Sequence, residues 1–135
     1  MATASIRPAA VAGQFYPNDP QLLQAQIGEM LSAAVPLEAV SSPKALIVPH
    51  AGYVYSGPVA ATAYATLGSL RNTIRRVVLL GPAHRVPVAG FALPAAQFFS
   101  TPLGLVPLSY SDWRTLRERP DVVVDDRPHA FEHSL

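Results

Sequence analysis

Two short apolar segments, each running into a loop that contains a histidine, place the strongest constraint on the fold. Residues 44–48 (KALIV) are closed by Pro49, and residues 77–80 (VVLL) are closed by Gly81. Neither segment alternates polar and apolar residues, a pattern typical of parallel strands buried on both faces. Residues 58–69 are rich in small residues and predict a helix. This order predicts an α/β fold with a right-handed crossover, in a mostly parallel or mixed sheet flanked by helices.

The other predicted elements follow from capping residues and local periodicity. Asn18 or Asp19 can cap a helix over 19–34, with Pro20 in its first turn. Ser56 is the predicted N-cap of the helix over 58–69. Residues 1–17 are predicted to be irregular. Strands are predicted near 88–93, 104–108 and 121–124, and a short helix near 111–117.

The composition excludes several classes of protein. Half of the 135 residues are apolar and 14% are charged, unlike a disordered chain. A net charge of +1 provides no field that would recruit nucleic acid or an anionic membrane, so we predict neither as a partner. No apolar stretch approaches the ~20 residues of a membrane-spanning helix, and no secretory signal is evident, so we predict a cytoplasmic protein. The sequence has no GxGxxG, phosphate-binding loop, CxxC pair or GxSxG motif.

Two histidines stand at equivalent positions of the predicted sheet. His50 follows the segment ending at Val48, and His84 follows the segment ending at Leu80. Ligands of open α/β sheets bind at the carboxyl ends of the strands, and the tips of two such strands lie about 5–10 Å apart. Two imidazoles leaving these tips can converge on one ion. We therefore predict His50 and His84 as metal ligands; alternatively, each is a hydrogen-bonded structural residue.

The start of the predicted second helix lies on the side of the first histidine loop. Its unpaired amide groups and its dipole favour an anion or an oxyanion. Gly52, Tyr53, Ser56 and Gly57 are therefore predicted to bind an anion or another small ligand. Alternatively, Tyr53 is a packing residue with a solvated hydroxyl. We expect Gly52 or Gly57 to adopt a positive φ or to lie against the ligand.

The last residues contain further polar groups. His129 and His133 are four residues apart, a spacing that can ligate a metal on a helix. The segment is too short to establish a helix, and we favour a solvated chain end. Glu132 is likewise interpreted as a solvated acidic residue.

Several segments, in order along the chain, are similar to one protein family. They are RPAAVAGQFYP (7–17), ALIVPHAGYVYSGPVAATAY (45–64), RRVVLLGPAHRVPVAGFALP (75–94), TPLG (101–104) and EHSL (132–135). They resemble the Memo family, named for mediator of cell motility, whose prokaryotic members form part of the AmmeMemoRadiSam system. The combination of PHAGY-YSGP with the later GP-H is the most specific part of the resemblance.

The resemblance implies a fold like that of class III extradiol dioxygenases, with a metal at the strand ends. His50 matches the family's metal-site histidine in PHAGY, and His84 matches the histidine of the GPSHH-type loop. Ala83 and Arg85 stand where many members have Ser and a second His. Family members are about twice as long. We therefore predict that residues 1–135 form the N-terminal part of a single Memo-like domain, with the family's Asp, further His and Cys beyond Leu135.

Three hypotheses about function follow. The first is a Memo-like metal-binding domain with redox or oxygen-linked chemistry, in which His50 and His84 form half of the site. The resemblance favours iron or copper over zinc, because two His with a carboxylate suit iron and a Cys ligand suits copper or iron. The second is a non-catalytic module that binds a peptide or an anion, and the third is a fragment without independent function. Implied partners are a small-molecule or peptide ligand, a second copy paired through an exposed strand edge, and the Amme-type and radical-SAM-type proteins of the system.

Overall fold

A computed structural model of the protein describes residues 4–35 and 43–135. The chain divides into two compact units. Met1–Ala12 and Gly81–Ser134 form the first, here called the strand unit, and Gly13–Leu80 form the second, here called the helix unit. Each unit is described by itself below.

The helix unit is built on two helices, α1 (Pro20–Ala33) and α2 (Tyr53–Ala65), followed by a short 3-10 turn at Gly68–Leu70. The start of α1 is as predicted, because the Asp19 carboxylate accepts hydrogen bonds from the amides of Gln21 and Leu22, both at 2.9 Å. The two helices pack on each other around buried Leu23 and Ala61.

The second helix begins five residues before the predicted start at residue 58. The prediction that Ser56 caps it is wrong, since Gly52 is the N-cap and Ser56 lies inside the helix. The Ser56 hydroxyl instead donates to the carbonyl of Ala51 at 2.7 Å. A serine within a helix commonly bonds back to a carbonyl of the preceding turn, and the Ser56 side chain is buried.

The apolar segments 44–48 and 77–80 are not paired strands in the helix unit. Neither is hydrogen-bonded as a strand, and Ile47, Val78 and Leu80 are 100%, 79% and 73% exposed. The prediction of a parallel pair joined by a crossover is therefore wrong for this unit taken by itself. The physical reason is that a strand needs a hydrogen-bonded neighbour, and the described residues of the helix unit provide none for these segments.

The strand unit contains two small sheets. Its strands are β1 (Ile6–Arg7), β2 (Phe91–Leu93), β3 (Phe98–Thr101), β4 (Gly104–Pro107) and β5 (Val122–Val124). One sheet has the order β1-β3-β4, with β1 parallel and β4 antiparallel to β3; in the other, β2 pairs parallel with β5. Helices α3 (Tyr110–Arg117) and α4 (Arg127–Ala130) flank β5 in the chain. The predicted α/β class, with parallel and mixed sheets and flanking helices, is confirmed.

Glycine is required at the start of β2. Gly90 has φ +89°, and a Cβ there would lie 2.1 Å from the carbonyl oxygen of Asp121. The next amide, that of Phe91, donates to the same carbonyl at 2.8 Å, so the close approach begins the pairing of β2 with β5. None of the described helices is both long enough and apolar enough to cross a bilayer.

Candidate metal site

A buried carboxylate, that of Glu132, organises the candidate site. The side chain is 3% exposed, and its two oxygens accept four hydrogen bonds. The Oε2 atom accepts from the amide of His84 at 2.6 Å, while Oε1 accepts from the amides of His133 at 2.8 Å and Ser134 at 3.0 Å. The fourth donor is the His84 ring, whose Nδ1 lies 2.8 Å from Oε1.

These donors keep the carboxylate ionised. Burial of Glu132 acts to raise its pKa, but the amide and ring of His84 and the amides of Ser134 and His133 together hold the pKa well below its ordinary value. Donors aimed at a carboxylate favour its charged form, because they bond to lone pairs that a proton would otherwise occupy.

The bond to Glu132 sets the tautomer of His84. An ionised carboxylate can only accept, so the Nδ1 atom of His84 must be the donor. In the neutral imidazole the lone pair is then on Nε2, which is the nitrogen suited to ligating a metal. A carboxylate on one ring nitrogen and a metal on the other is a recurrent arrangement in metal sites.

A second histidine lies against His84. The rings of His84 and His133 stack with their centroids 4.4 Å apart and an interplanar angle of 19°, and their candidate ligand atoms come within 4.8 Å. Their side chains are 37% and 18% exposed, so both are partly accessible. Both rings lie in the strand unit, where the pair could offer two imidazole nitrogens to one metal ion.

Hydrogen bonds from Arg7 in β1 hold the segment that contains Glu132 and His133. The Arg7 guanidinium donates to the main-chain carbonyls of His129, at 2.6 Å, and of Glu132, and it lies 4.6 Å over the ring of Phe99. A guanidinium with several donors in a rigid plane is suited to holding two carbonyls at once. Arg7 therefore holds the main chain in the last turn of α4 and two residues beyond its end.

His129 has a different role from the stacked pair. It is 7% exposed, its Nε2 donates to the carbonyl of Ala92 at 3.1 Å, and its Nδ1 is buried without a hydrogen-bond partner. Burial lowers the pKa of His129 below its ordinary value. The helix α4 ends at Ala130, so His129 and His133 are not a ligand pair on one helix.

The interpretation of the last residues as a solvated chain end is wrong. Glu132 and His129 are buried, and His133 contacts His84. Sequence reasoning therefore missed Glu132 and His133 as site residues. The usable signal was the EHSL block, because consecutive amides after an acidic residue can fold back onto its side chain.

The four residues predicted to bind a ligand near the start of α2 lie in a different environment. Tyr53 packs on Tyr16 with ring centroids 5.4 Å apart, and burial raises the pKa of its phenol. Gly52 is the N-cap with φ −56°, and the α-helical Gly57 lies against Met30, so a positive φ at either position is wrong. The amides of Tyr53 and Ser56 already donate to the carbonyls of Phe15 and Gly52. Ligand binding by Gly52, Tyr53, Ser56 and Gly57 stays a prediction.

The α/β architecture and the stacked histidine pair are accompanied by a family match over almost the whole chain. Residues 7–135 match the Memo-like protein family. The chain therefore belongs to the Memo-like family, as its PHAGY and GP-H loops predict.

Relatives from distant organisms support this membership. The chain is 37% identical to Protein MEMO1 of Danio rerio, 35% to a MEMO1 family protein of Aquifex aeolicus and 40% to one of Methanopyrus kandleri. Each match covers 96% of this chain but only 44%, 46% and 48% of the respective relative. The chain thus spans about half the length of the curated relatives it matches.

Proposed function

We propose that the protein binds a transition-metal ion through His50 and His84, with His133 as a third imidazole donor. The observation that supports this most is the bond from His84 Nδ1 to the buried Glu132 carboxylate. It gives the ring the tautomer and the orientation of a metal-bound histidine. The alternative, a purely structural His84–Glu132 pair, does not account for a second imidazole stacked beside the first.

The donor set fits a first-row transition metal. Neutral imidazoles suit copper, iron and zinc alike, and the family resemblance favours iron or copper. A bound ion of either kind would supply redox or oxygen-linked chemistry. The residues of this chain would hold the ion, keep His84 in one tautomer through Glu132, and leave the partly exposed faces of His84 and His133 accessible to a small ligand.

We further propose that the chain forms the first part of a single Memo-like domain. The support is that its relatives are about twice as long and that each matches this chain along 96% of its residues. On this proposal the remaining ligands and any substrate groove belong to the whole protein.

The test is metal analysis of the purified full-length protein and of its His50→Ala and His84→Ala variants. Loss of one ligand is expected to lower metal affinity by at least ~10-fold, since even indirect support of a ligand is worth 10–100-fold. His129→Gln is the matched control, because it removes an imidazole of the strand unit whose Nε2 already donates to the carbonyl of Ala92. Equal metal content in the two variants and the parent protein would contradict the proposal.

A further inference from the structure

We infer that Glu132 is a positioning residue for the metal site: its carboxylate selects Nε2 of His84 as the ligating nitrogen. This inference rests on the proposed function and adds a residue that the two-histidine prediction did not contain. It stands on the geometry of the strand unit alone.

His84 is held at two points by one side chain. Its amide donates to Oε2 of Glu132 at 2.6 Å and its ring Nδ1 to Oε1 at 2.8 Å. With main chain and ring both fixed, the ring has little freedom to rotate about its side-chain bonds. A ligand held in this way keeps the direction of its Nε2 lone pair before any metal arrives.

The Glu132 side chain is itself held in one orientation. Its Oε1 atom also accepts from the amides of His133 and Ser134, its own carbonyl accepts from Arg7, and its side chain is 3% exposed. Removing the carboxylate would leave the partly buried amides of His84, His133 and Ser134 without this acceptor, which is costly. The carboxylate is therefore a fixed reference against which the His84 ring is oriented.

The hydrogen bonds of Glu132 argue against a role as a metal ligand. Both of its oxygens are already used by donors from the protein. A metal on Oε1 would have to displace one of three donors, and Oε2 is held against the His84 amide in a side chain that is 3% exposed. The carboxylate thus acts through His84 and does not take a coordination position of its own.

The experiment reads the tautomer of His84 by nitrogen-15 NMR in the metal-free, full-length protein, at a pH above the imidazole titration range. The wild-type protein is expected to show a protonated Nδ1 and an unprotonated Nε2. The opposite tautomer would overturn the inference even if the protein binds metal normally, so its failure is distinguishable from failure of the proposed function. This measurement requires no variant and does not depend on how well a variant folds.

Two substitutions then separate positioning from a structural role. Glu132→Met removes the acceptor and is expected to give a mixture of His84 tautomers and a 10–100-fold loss of metal affinity. Glu132→Gln keeps an amide oxygen that can accept from Nδ1, so it is expected to retain the tautomer and most of the affinity. Glu118→Met, at an exposed position of the same unit, is the matched control. An unchanged His84 tautomer in a folded Glu132→Met protein would overturn the inference.

Discussion

Individual buried polar groups hold the last residues of the strand unit in place. Glu132 and His129 are both less than a tenth exposed, and each bonds to main-chain groups of a distant segment. Arg7 joins them from β1 through two carbonyls. Such groups are stabilising only while their partners are present, because an unpaired buried polar atom costs about 1–3 kcal/mol.

For individual residues, the sequence identified the candidate ligands His50 and His84 but not Glu132, which bonds to His84. His50 and His84 were found because a histidine after an apolar segment is a local signal. Glu132 was missed because its burial depends on His84, 48 residues earlier, and on Arg7, 125 residues earlier. An acidic residue near the end of a sequence has no local feature that distinguishes a buried partner from a solvated side chain.

The buried His129 ring is expected to make the free energy of unfolding depend on pH. Burial lowers its pKa, the bond to the Ala92 carbonyl opposes this, Arg7 adds to the lowering, and Asp126 and Asp125 oppose it. In the unfolded state the His129 imidazole therefore binds a proton near pH 6.5, whereas in the folded state it does so only at a lower pH. The contribution of His129 to the free energy of unfolding should fall as the pH drops below about 6.5, by no more than about 1.4 kcal/mol per pH unit.

The measurement is a series of denaturant melts between pH 7.5 and pH 5.5 on the full-length protein and on His129→Gln. Glutamine can still donate to the Ala92 carbonyl but has no proton to gain in this range. The stability of the variant should therefore fall less steeply with decreasing pH. Parallel stability curves for the two proteins would show that the His129 ring is not held neutral by burial.

At the scale of helices and strands, elements with a local sequence signal were predicted correctly, whereas the pairing of strands was not. The start of α1 follows from Asp19 and Pro20 alone. The predicted start of α2 was wrong because Ser56, predicted to be the N-cap, lies inside the helix. Its hydroxyl donates to the carbonyl of Ala51. Strand β1 has two residues and exists only because Phe98 and Phe99 pair with it, so no periodicity could have predicted it.

Two glycines inside helices are expected to respond differently to substitution by alanine. Gly28 in α1 has open space where a Cβ would be, whereas a Cβ on Gly57 in α2 would lie 2.4 Å from the sulfur of Met30. Gly28→Ala should raise the free energy of unfolding by about 1 kcal/mol, since alanine is the better helix former. Gly57→Ala gains the same propensity but must displace the Met30 side chain, so its net effect should be smaller or destabilising.

Thermal or denaturant unfolding of the two variants in the full-length background checks this difference. Each serves as the control for the other, because both change glycine to alanine inside a helix of the same unit. Equal stabilisation by the two substitutions would mean that Gly57 does not mark a close contact between α1 and α2.

At the scale of the whole molecule, the 135 residues provide two compact units with small apolar cores. Among the described residues, the buried apolar side chains are Leu23, Ala61 and Ala96, together with the prolines Pro94 and Pro128. The apolar segment 77–80 is exposed in the helix unit. An unpaired apolar segment of this kind is a template for association with another chain.

We therefore expect residues 1–135, expressed alone, to self-associate or aggregate. Burial is worth about 25 cal/mol per Å², so several hundred exposed Å² forfeit on the order of 10 kcal/mol, comparable to the stability of a typical domain. Light scattering and a denaturant melt are the measurements, with the full-length protein as the control. A monodisperse monomer that unfolds cooperatively would show that these residues form a complete domain.

Anomalous diffraction from crystals of the full-length protein, grown with iron or copper, tests the proposal that His50 and His84 bind one metal ion. We expect a single anomalous peak at the metal's absorption edge, about 2 Å from an imidazole nitrogen of each histidine, with Nε2 as the ligating atom of His84. The absence of a peak there, or an ion bound by other residues while the His84–Glu132 bond is intact, would contradict it.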